Sequence, residues 1–333
     1  LNISHVNPNH ALELGLVLVD IPPQRVMYIT KYLQESVYKL QKTSLKNLKT
    51  KITIAHSPDA DDAFMFYALA KNIIFNEKYE IEHILKDIQS LNKEALSQIY
   101  DVQAISFFAY PDVEEKYQLM SCGGSVGNGY GPILVANNEG KTLVSKVGLN
   151  NLRDISIAIP GEKTTAFLLL KLLIKDFSPV YVKFDEIIEA VVKGTYPLGL
   201  IIHEGQLSYL NHGLSKVVDL GEWWLGKTNL PLPLGGNVIK RNLAEDAKKE
   251  INNLVKQSIS YGLENKEKVV SAVKSYAREI EQDNKLVNKF VSMYVNDFTL
   301  DYGISGKIAI KKLYELAYGA GLIKKIPILD FIE

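Results

Sequence analysis

The chain has 333 residues, 47% apolar and 23% charged, the balance of an ordinary globular protein with material for roughly two domains. Lys plus Arg and Asp plus Glu number 38 each, so the formal net charge is zero and the basic excess of a nucleic-acid-binding surface is missing. The single cysteine, Cys122, excludes an intrachain disulfide framework and a multi-cysteine zinc site, and no apolar stretch reaches the length of a membrane span. Leu14 to Val19 is apolar but short, and no Lys or Arg precedes it. A secretory pattern is therefore not read here, and the expected location is the cytoplasm, with no membrane and no nucleic acid as partner.

Residues 1–50 form one block. From Gln24 to Leu48, apolar residues at Val26, Ile29, Tyr32, Leu33, Val37 and Leu40 recur at roughly a helical period, after the stop at Pro22-Pro23. A solvated helical extension is the simplest reading; a dimerisation helix, and with it a homodimer, stays open. From Lys51 the pattern changes to strand-helix alternation. Strands are expected at Ile52–Ala55, Tyr79–Leu85, Val102–Phe108, Ile133–Ala136, Ile155–Ile159, Val180–Phe184 and Leu198–Ile202. Helices are expected at Ala63–Ala70, just after Asn92, and at Ala166–Ile174, and the chain is helical almost throughout after Asn242. This alternation predicts an α/β fold with parallel sheets. Gly- and Pro-rich crossings near Tyr130–Pro132 and Pro231–Gly236 divide it into two lobes, 51–132 with 235–333, and 133–234. A cleft between lobes is a preferred place for a small ligand.

Four loops are candidates for chemistry. Ser57-Pro58-Asp59-Ala60-Asp61-Asp62 carries three carboxylates at a helix start, where capping accounts for at least one of them. The calcium-loop pattern is absent and no Cys or His spacing supports a transition metal, so no metal is expected. Ala104-Ile105-Ser106 ends a strand, and Ser106 lacks the G-x-S-x-G setting of a nucleophile. Asn92 begins a helix on this reading, either capping it or orienting a substrate hydroxyl. Gly161-Glu162-Lys163-Thr164-Thr165-Ala166 opens a helix, and its free N–H groups suit a carboxylate, while the order of a P-loop is missing. Thr164 as a plain cap fits equally well. Gly123 to Gly131 contains G-x-G, but a strand follows it instead of a helix, which excludes a dinucleotide fingerprint and leaves tight turns and a hinge. Asp219 to Trp224 pairs two tryptophans, read as core with one ring edge in the cleft.

His203 ends the run Leu198-Gly199-Leu200-Ile201-Ile202 and precedes Glu204. Ligand sites of open α/β sheets lie just past such strand ends, and imidazole suits a general base near neutrality. Taken alone, a histidine that only hydrogen-bonds at a strand end explains it better.

Five segments in order alter that balance: Ser57 to Leu69, Gly161 to Ala166, Leu200-Ile201-Ile202-His203-Glu204, Asp219 to Trp224 and Pro231-Leu232-Pro233-Leu234-Gly235. Together they resemble the 1,4-dihydroxy-6-naphthoate synthase family of the futalosine route to menaquinone. The resemblance covers about 51–333. It implies a two-lobe fold like that of periplasmic binding proteins (type II), here serving an enzyme. It implies cyclic dehypoxanthinylfutalosine as substrate, a molecule bearing a carboxylate, 1,4-dihydroxy-6-naphthoate as product, and no cofactor. The family's base matches His203. Its substrate contacts match Asp62, Asn92, Ala104, Ile105, Ser106, Thr165 and Ala166. Some members carry a lysine at the position of Ala104, which would leave Lys163 as a substitute for anchoring the carboxylate. Chorismate dehydratase of the same route and a non-catalytic carboxylate-binding protein are the alternative readings.

Overall fold

The computed structural model describes residues 49–277, 280 and 283–332. The helical extension expected within residues 1–50 lies outside the described residues, apart from Lys49 and Thr50, the latter already in the first strand.

From Lys51 onward the chain builds two sheets. The first draws on β1 (Thr50–His56), β2 (Tyr79–Leu85), β3 (Val102–Ser106), β4 (Tyr117–Leu119) and β5 (Ser125–Gly127). The second uses β6 (Ile133–Ala136), β7 (Leu152–Ile159), β8 (Phe177–Tyr181), β9 (Leu198–Ile201) and β10 (Ser215–Asp219). The chain then returns to the first sheet through β11 (Leu232–Lys240). The strand orders are β2-β1-β3-β11-β4, with β5 on β11, and β10-β6-β9-β7-β8.

Both sheets are mixed, which corrects the expectation of parallel ones. β1–β3, β7–β8 and β7–β9 are parallel, whereas β11 runs antiparallel to β3, β4 and β5, and β6 antiparallel to β9 and β10. The returning strand causes this in the first sheet: β11 enters from the other lobe in the reverse direction. Its Pro-Leu-Pro-Leu-Gly start reads as a loop because proline cannot donate to a ladder. The register shift between Pro233 and Gly235 against β5 is the irregularity that accommodates it.

Helices cover the sheets. The first four are α1 (Ala60–Ala70), α2 (Ile88–Ala95), α3 (Asn138–Val147) and α4 (Thr165–Leu173). They are followed by α5 (Ile187–Val192), α6 (Gly205–Ser208) and α7 (Leu220–Thr228). The C-terminal set is α8 (Glu245–Glu264), α9 (Lys266–Val273), α10 (Asn284–Tyr294), α11 (Asp297–Leu300) and α12 (Gly303–Gly319). α1 buries Phe64, Met65, Phe66 and Leu69 in one core with Ile251, Val255 and Ile259 of α8 and Val287, Phe290 and Val291 of α10. Each such side chain contributes about 1.5–3 kcal/mol of transfer free energy, which fixes α1 and hence the loop before it. α4 buries Ala166 to Leu170 in a second core that reaches Ile105, Phe107 and Trp224. No described helix is long and apolar enough to cross a membrane.

The two tryptophans separate. Trp224 is fully buried and donates its Nε1–H to Pro231 O at 2.9 Å, while Trp223 is only partly buried against the core. Neither lines the cleft cavity, contrary to the expected ring edge there.

Candidate active site in the cleft

A cavity opens where the C-terminal ends of β1 and β3, the start of β11 and the N-terminus of α4 meet. One wall carries Ser57, Asp59, Asp61 and Asp62. The floor is Ala104, Ile105 and Ser106 with Gly235, Gly236 and Asn237. The opposite wall is Thr164, Thr165, Ala166 and Ile202, with Phe290 and Tyr294 from α10 closing one side.

The acidic wall follows from where α1 begins. Asp59 is its N-cap by backbone geometry, but its side chain makes no capping bond, so the helix starts at Ala60, earlier than the pattern predicts. Asp61 and Asp62 therefore sit in the first turn. Asp62 accepts Ser57 N–H at 2.6 Å. Burial pushes its carboxyl up to about 7; the Ser57 N–H opposes this and the Asp59 charge adds to it. Asp61 is partly accessible at the cleft surface yet hemmed in by protein. Burial first, then the charges of Asp62, Asp59 and Glu204, hold its carboxyl well above the usual carboxylate range. This wall is thus able to donate as well as accept hydrogen bonds near neutral pH.

Asn92 does not begin its helix. Asp87 is the N-cap of α2 and accepts Ser90 N–H, while Asn92 lies a turn further on and is buried. Its Oδ1 accepts Ser106 N–H at 2.9 Å, and its Nδ2 donates to Ser106 Oγ at 3.0 Å and Lys163 O at 3.3 Å. Asn92 therefore ties α2 to the end of β3 and to the loop before α4, and it acts behind Ser106 without lining the cavity. Thr165 Oγ1 adds a second tie by accepting Phe108 N–H at 3.2 Å.

At α4, Thr164 is the cap, accepting Phe167 N–H at 3.2 Å. Helix geometry leaves the N–H groups of Thr165 and Ala166 without intrahelical partners, at the positive end of the dipole and on the cavity wall. Lys163 points elsewhere: its Nζ pairs with Asp112 Oδ2 at 2.6 Å and lies 5.1 Å from the centre of the Phe108 ring.

His203 is buried and is not among the residues lining this cavity, although Ile202 before it is. Gly205 N–H donates to Nδ1 at 3.1 Å, so Nε2 carries the proton and donates to Phe184 O at 3.0 Å. Phe184 in turn lines a neighbouring cavity with Gln89, Gly161 and Glu162. Glu204 is wholly buried beside the ring, its Oε2 3.5 Å from Nδ1. His56 is buried and stacked on Phe66 at 4.4 Å. Burial and the neighbouring His83 lower it to about 3, so it is neutral and takes no part in the cavity wall. Among the described residues, no three His, Cys, Asp or Glu side chains converge as metal ligands would.

Of the residues singled out in the sequence, Asp62, Ala104, Ile105, Ser106, Thr165 and Ala166 meet in one cavity, while Asn92 and His203 lie behind its walls. Asp61, read in the sequence only as one of three carboxylates at a helix start, lines it too. Tyr294 and Asn237 also line it and escape sequence reasoning, Asn237 because it follows a stretch that reads as a crossing loop.

A family profile described as menaquinone biosynthesis matches residues 52–319. The chain belongs to that family. The 1,4-dihydroxy-6-naphthoate synthase of Thermus thermophilus is 34% identical over 276 residues, 83% of this chain and 97% of that protein. The enzyme of the same name from Streptomyces coelicolor is 32% identical over 278 residues, 82% of this chain and 94% of that protein. Among solved structures, protein AF1704 of Archaeoglobus fulgidus superposes with a TM-score of 0.75 at 43% identity, over 82% of this chain and 98% of that one. The alkanesulfonate-binding protein SsuA of Xanthomonas axonopodis pv. citri superposes at 0.62 with 12% identity, over 85% and 97%, a likeness of fold alone. The fold resembles that of type II periplasmic binding proteins, with two sheet-containing lobes, and the chain is a futalosine-route enzyme of menaquinone biosynthesis by family.

Proposed function

We propose that this chain converts cyclic dehypoxanthinylfutalosine to 1,4-dihydroxy-6-naphthoate as a carbon–carbon lyase. The observation that carries the reading is the polarity of the cavity: paired N–H donors of Thr165 and Ala166 on one wall, carboxyls of Asp61 and Asp62 on the other. A substrate with a carboxylate at one end and hydroxyl or carbonyl oxygens at the other suits that arrangement. Relatives of this name that match over almost their whole length support the same reaction.

In this reading, the helix terminus of α4 binds the substrate carboxylate, and Asn92 and Ser106 hold the floor in register. The carboxyls of the α1 turn bind the sugar-derived part. His203 removes a proton; ring opening and loss of the sugar-derived fragment then leave an aromatic product, whose aromaticity drives the step. For this, Nδ1, the unprotonated nitrogen, has to leave Gly205 N–H and reach the substrate, so closure on substrate must rearrange the Ile202–Gly205 turn. The test is incubation of purified protein with cyclic dehypoxanthinylfutalosine, with product followed by absorbance and mass. Wild type should form product, and His203→Asn should bind substrate with turnover lowered at least about 100-fold. Full turnover by His203→Asn removes the histidine from the mechanism, and no wild-type product removes the reaction.

A further inference from the structure

We propose that Asn237 is a substrate-recognition residue, its buried carboxamide oxygen accepting a hydrogen bond from a hydroxyl of the bound substrate. The inference rests on the reaction proposed above for the choice of ligand, and on the following geometry for the site.

Asn237 is 1% exposed and lines the cavity. Its Nδ2 donates to Gly123 O at 3.1 Å, which fixes the orientation of the amide. Its Oδ1 is buried and has no hydrogen-bond partner among the described residues. An acceptor stranded in this way costs stability, and on a cavity wall a bound ligand is one group able to satisfy it.

The strand register shows why the side chain stands on the face of the sheet that reaches the cavity. On one face of the first sheet, Ile239 pairs with Val102, Asn237 with Ala104 and Gly235 with Ser106. The Ile239–Val102 pair lies in the core beneath α1. Two residues along, the face turns polar and reaches the cavity. Directly opposed side chains on antiparallel strands stand about 4.5–5.5 Å apart at Cβ, so the partner of Asn237 decides what the amide meets. Here that partner is Ala104, a single methyl that itself lines the cavity. On the other side Gly123, at φ +78°, brings its backbone close enough that a Cβ there would collide with the Asn237 amide, 2.1 Å from Nδ2. The residue is thus clamped on its donor side, and its acceptor is unpaired among the described residues. Only a donor, an O–H or N–H, satisfies it. The hydroxyls of the sugar-derived part of the substrate are the groups of that kind, and the neighbouring acidic wall binds the same chemistry.

The test compares wild type, Asn237→Leu and Asn237→Asp on cyclic dehypoxanthinylfutalosine and on its analogues lacking one hydroxyl each. Asn237→Leu should raise KM about tenfold with kcat within about threefold, and Asn237→Asp, which keeps an acceptor but loses the donor to Gly123 O, should recover only part of that loss. Wild type should also discriminate about tenfold against one of the deoxy analogues, and Asn237→Leu should not discriminate against it. The wild-type analogue comparison stands even where a variant folds poorly. Wild-type turnover with equal KM for every deoxy analogue overturns the inference alone, as does an unchanged KM in a folded Asn237→Leu, which would assign Oδ1 to a water. Absence of wild-type turnover overturns the proposed reaction and this inference with it.

Discussion

Asn92→Ala is the most informative single change for the architecture of the site. The side chain makes three hydrogen bonds, to Ser106 N–H, Ser106 Oγ and Lys163 O, and it is 3% exposed. Truncation removes all three and leaves the Ser106 N–H, itself buried, without its acceptor. Each net bond is worth about 0.5–1.5 kcal/mol and a stranded buried donor costs about 1–3 kcal/mol, so the loss should be about 3 kcal/mol. Ser106→Ala removes only one acceptor, and Asn92 keeps Lys163 O; about 1 kcal/mol is expected. The assay is equilibrium unfolding in guanidinium chloride, followed by the fluorescence of Trp223 and Trp224, with both variants and the double variant measured. The double variant should cost less than the two singles together, because they share a bond. A loss under 1 kcal/mol for Asn92→Ala, or strict additivity, refutes the view of Asn92 as the tie between α2, β3 and the loop before α4.

Three further outcomes follow from the same geometry. Asp62 has a carboxyl raised to about 7, so its contribution to stability is present below about pH 4 and lost as pH rises through 7. Asp62→Asn should therefore gain stability relative to wild type on going from pH 4 to pH 8, by up to on the order of 4 kcal/mol, in thermal unfolding across that range; a parallel pH profile would refute it. Trp224→Phe should cost about 2–3 kcal/mol in chemical denaturation, through lost volume and a stranded Pro231 carbonyl, with KM unchanged because the ring does not line the cavity. Lys163→Ala should change KM less than about threefold, since its ammonium is held by Asp112 outside the cavity; a rise of tenfold or more would make Lys163 the carboxylate anchor.

Local pattern was enough for the strands that are apolar runs between polar ends. Ile133–Ala136 coincides with β6, and Ala166–Ile174 differs from α4 by one residue at each end. Such runs carry their own signal, because burial demands the period that the sequence spells. The carboxylates of the α1 turn and the N–H pair of α4 were legible for the same reason: helix starts have local chemistry. What required the tertiary structure is everything set by a partner distant in sequence. β11 is a central strand only because β3, β4 and β5 lie ready to pair with it, a context its prolines conceal. Asn92 looks like a cap until Ser106 and Lys163 are brought to it across 14 and 71 residues. Asn237 looks like part of a loop until the ladder sets it opposite Ala104. His203 is conspicuous in the chain, yet its nitrogens are committed by Gly205 and Phe184, and that no spacing rule contains. Segment identity is a property of neighbours a few residues apart, whereas the register between strands and the partner of a buried polar atom are decided only when the whole chain packs.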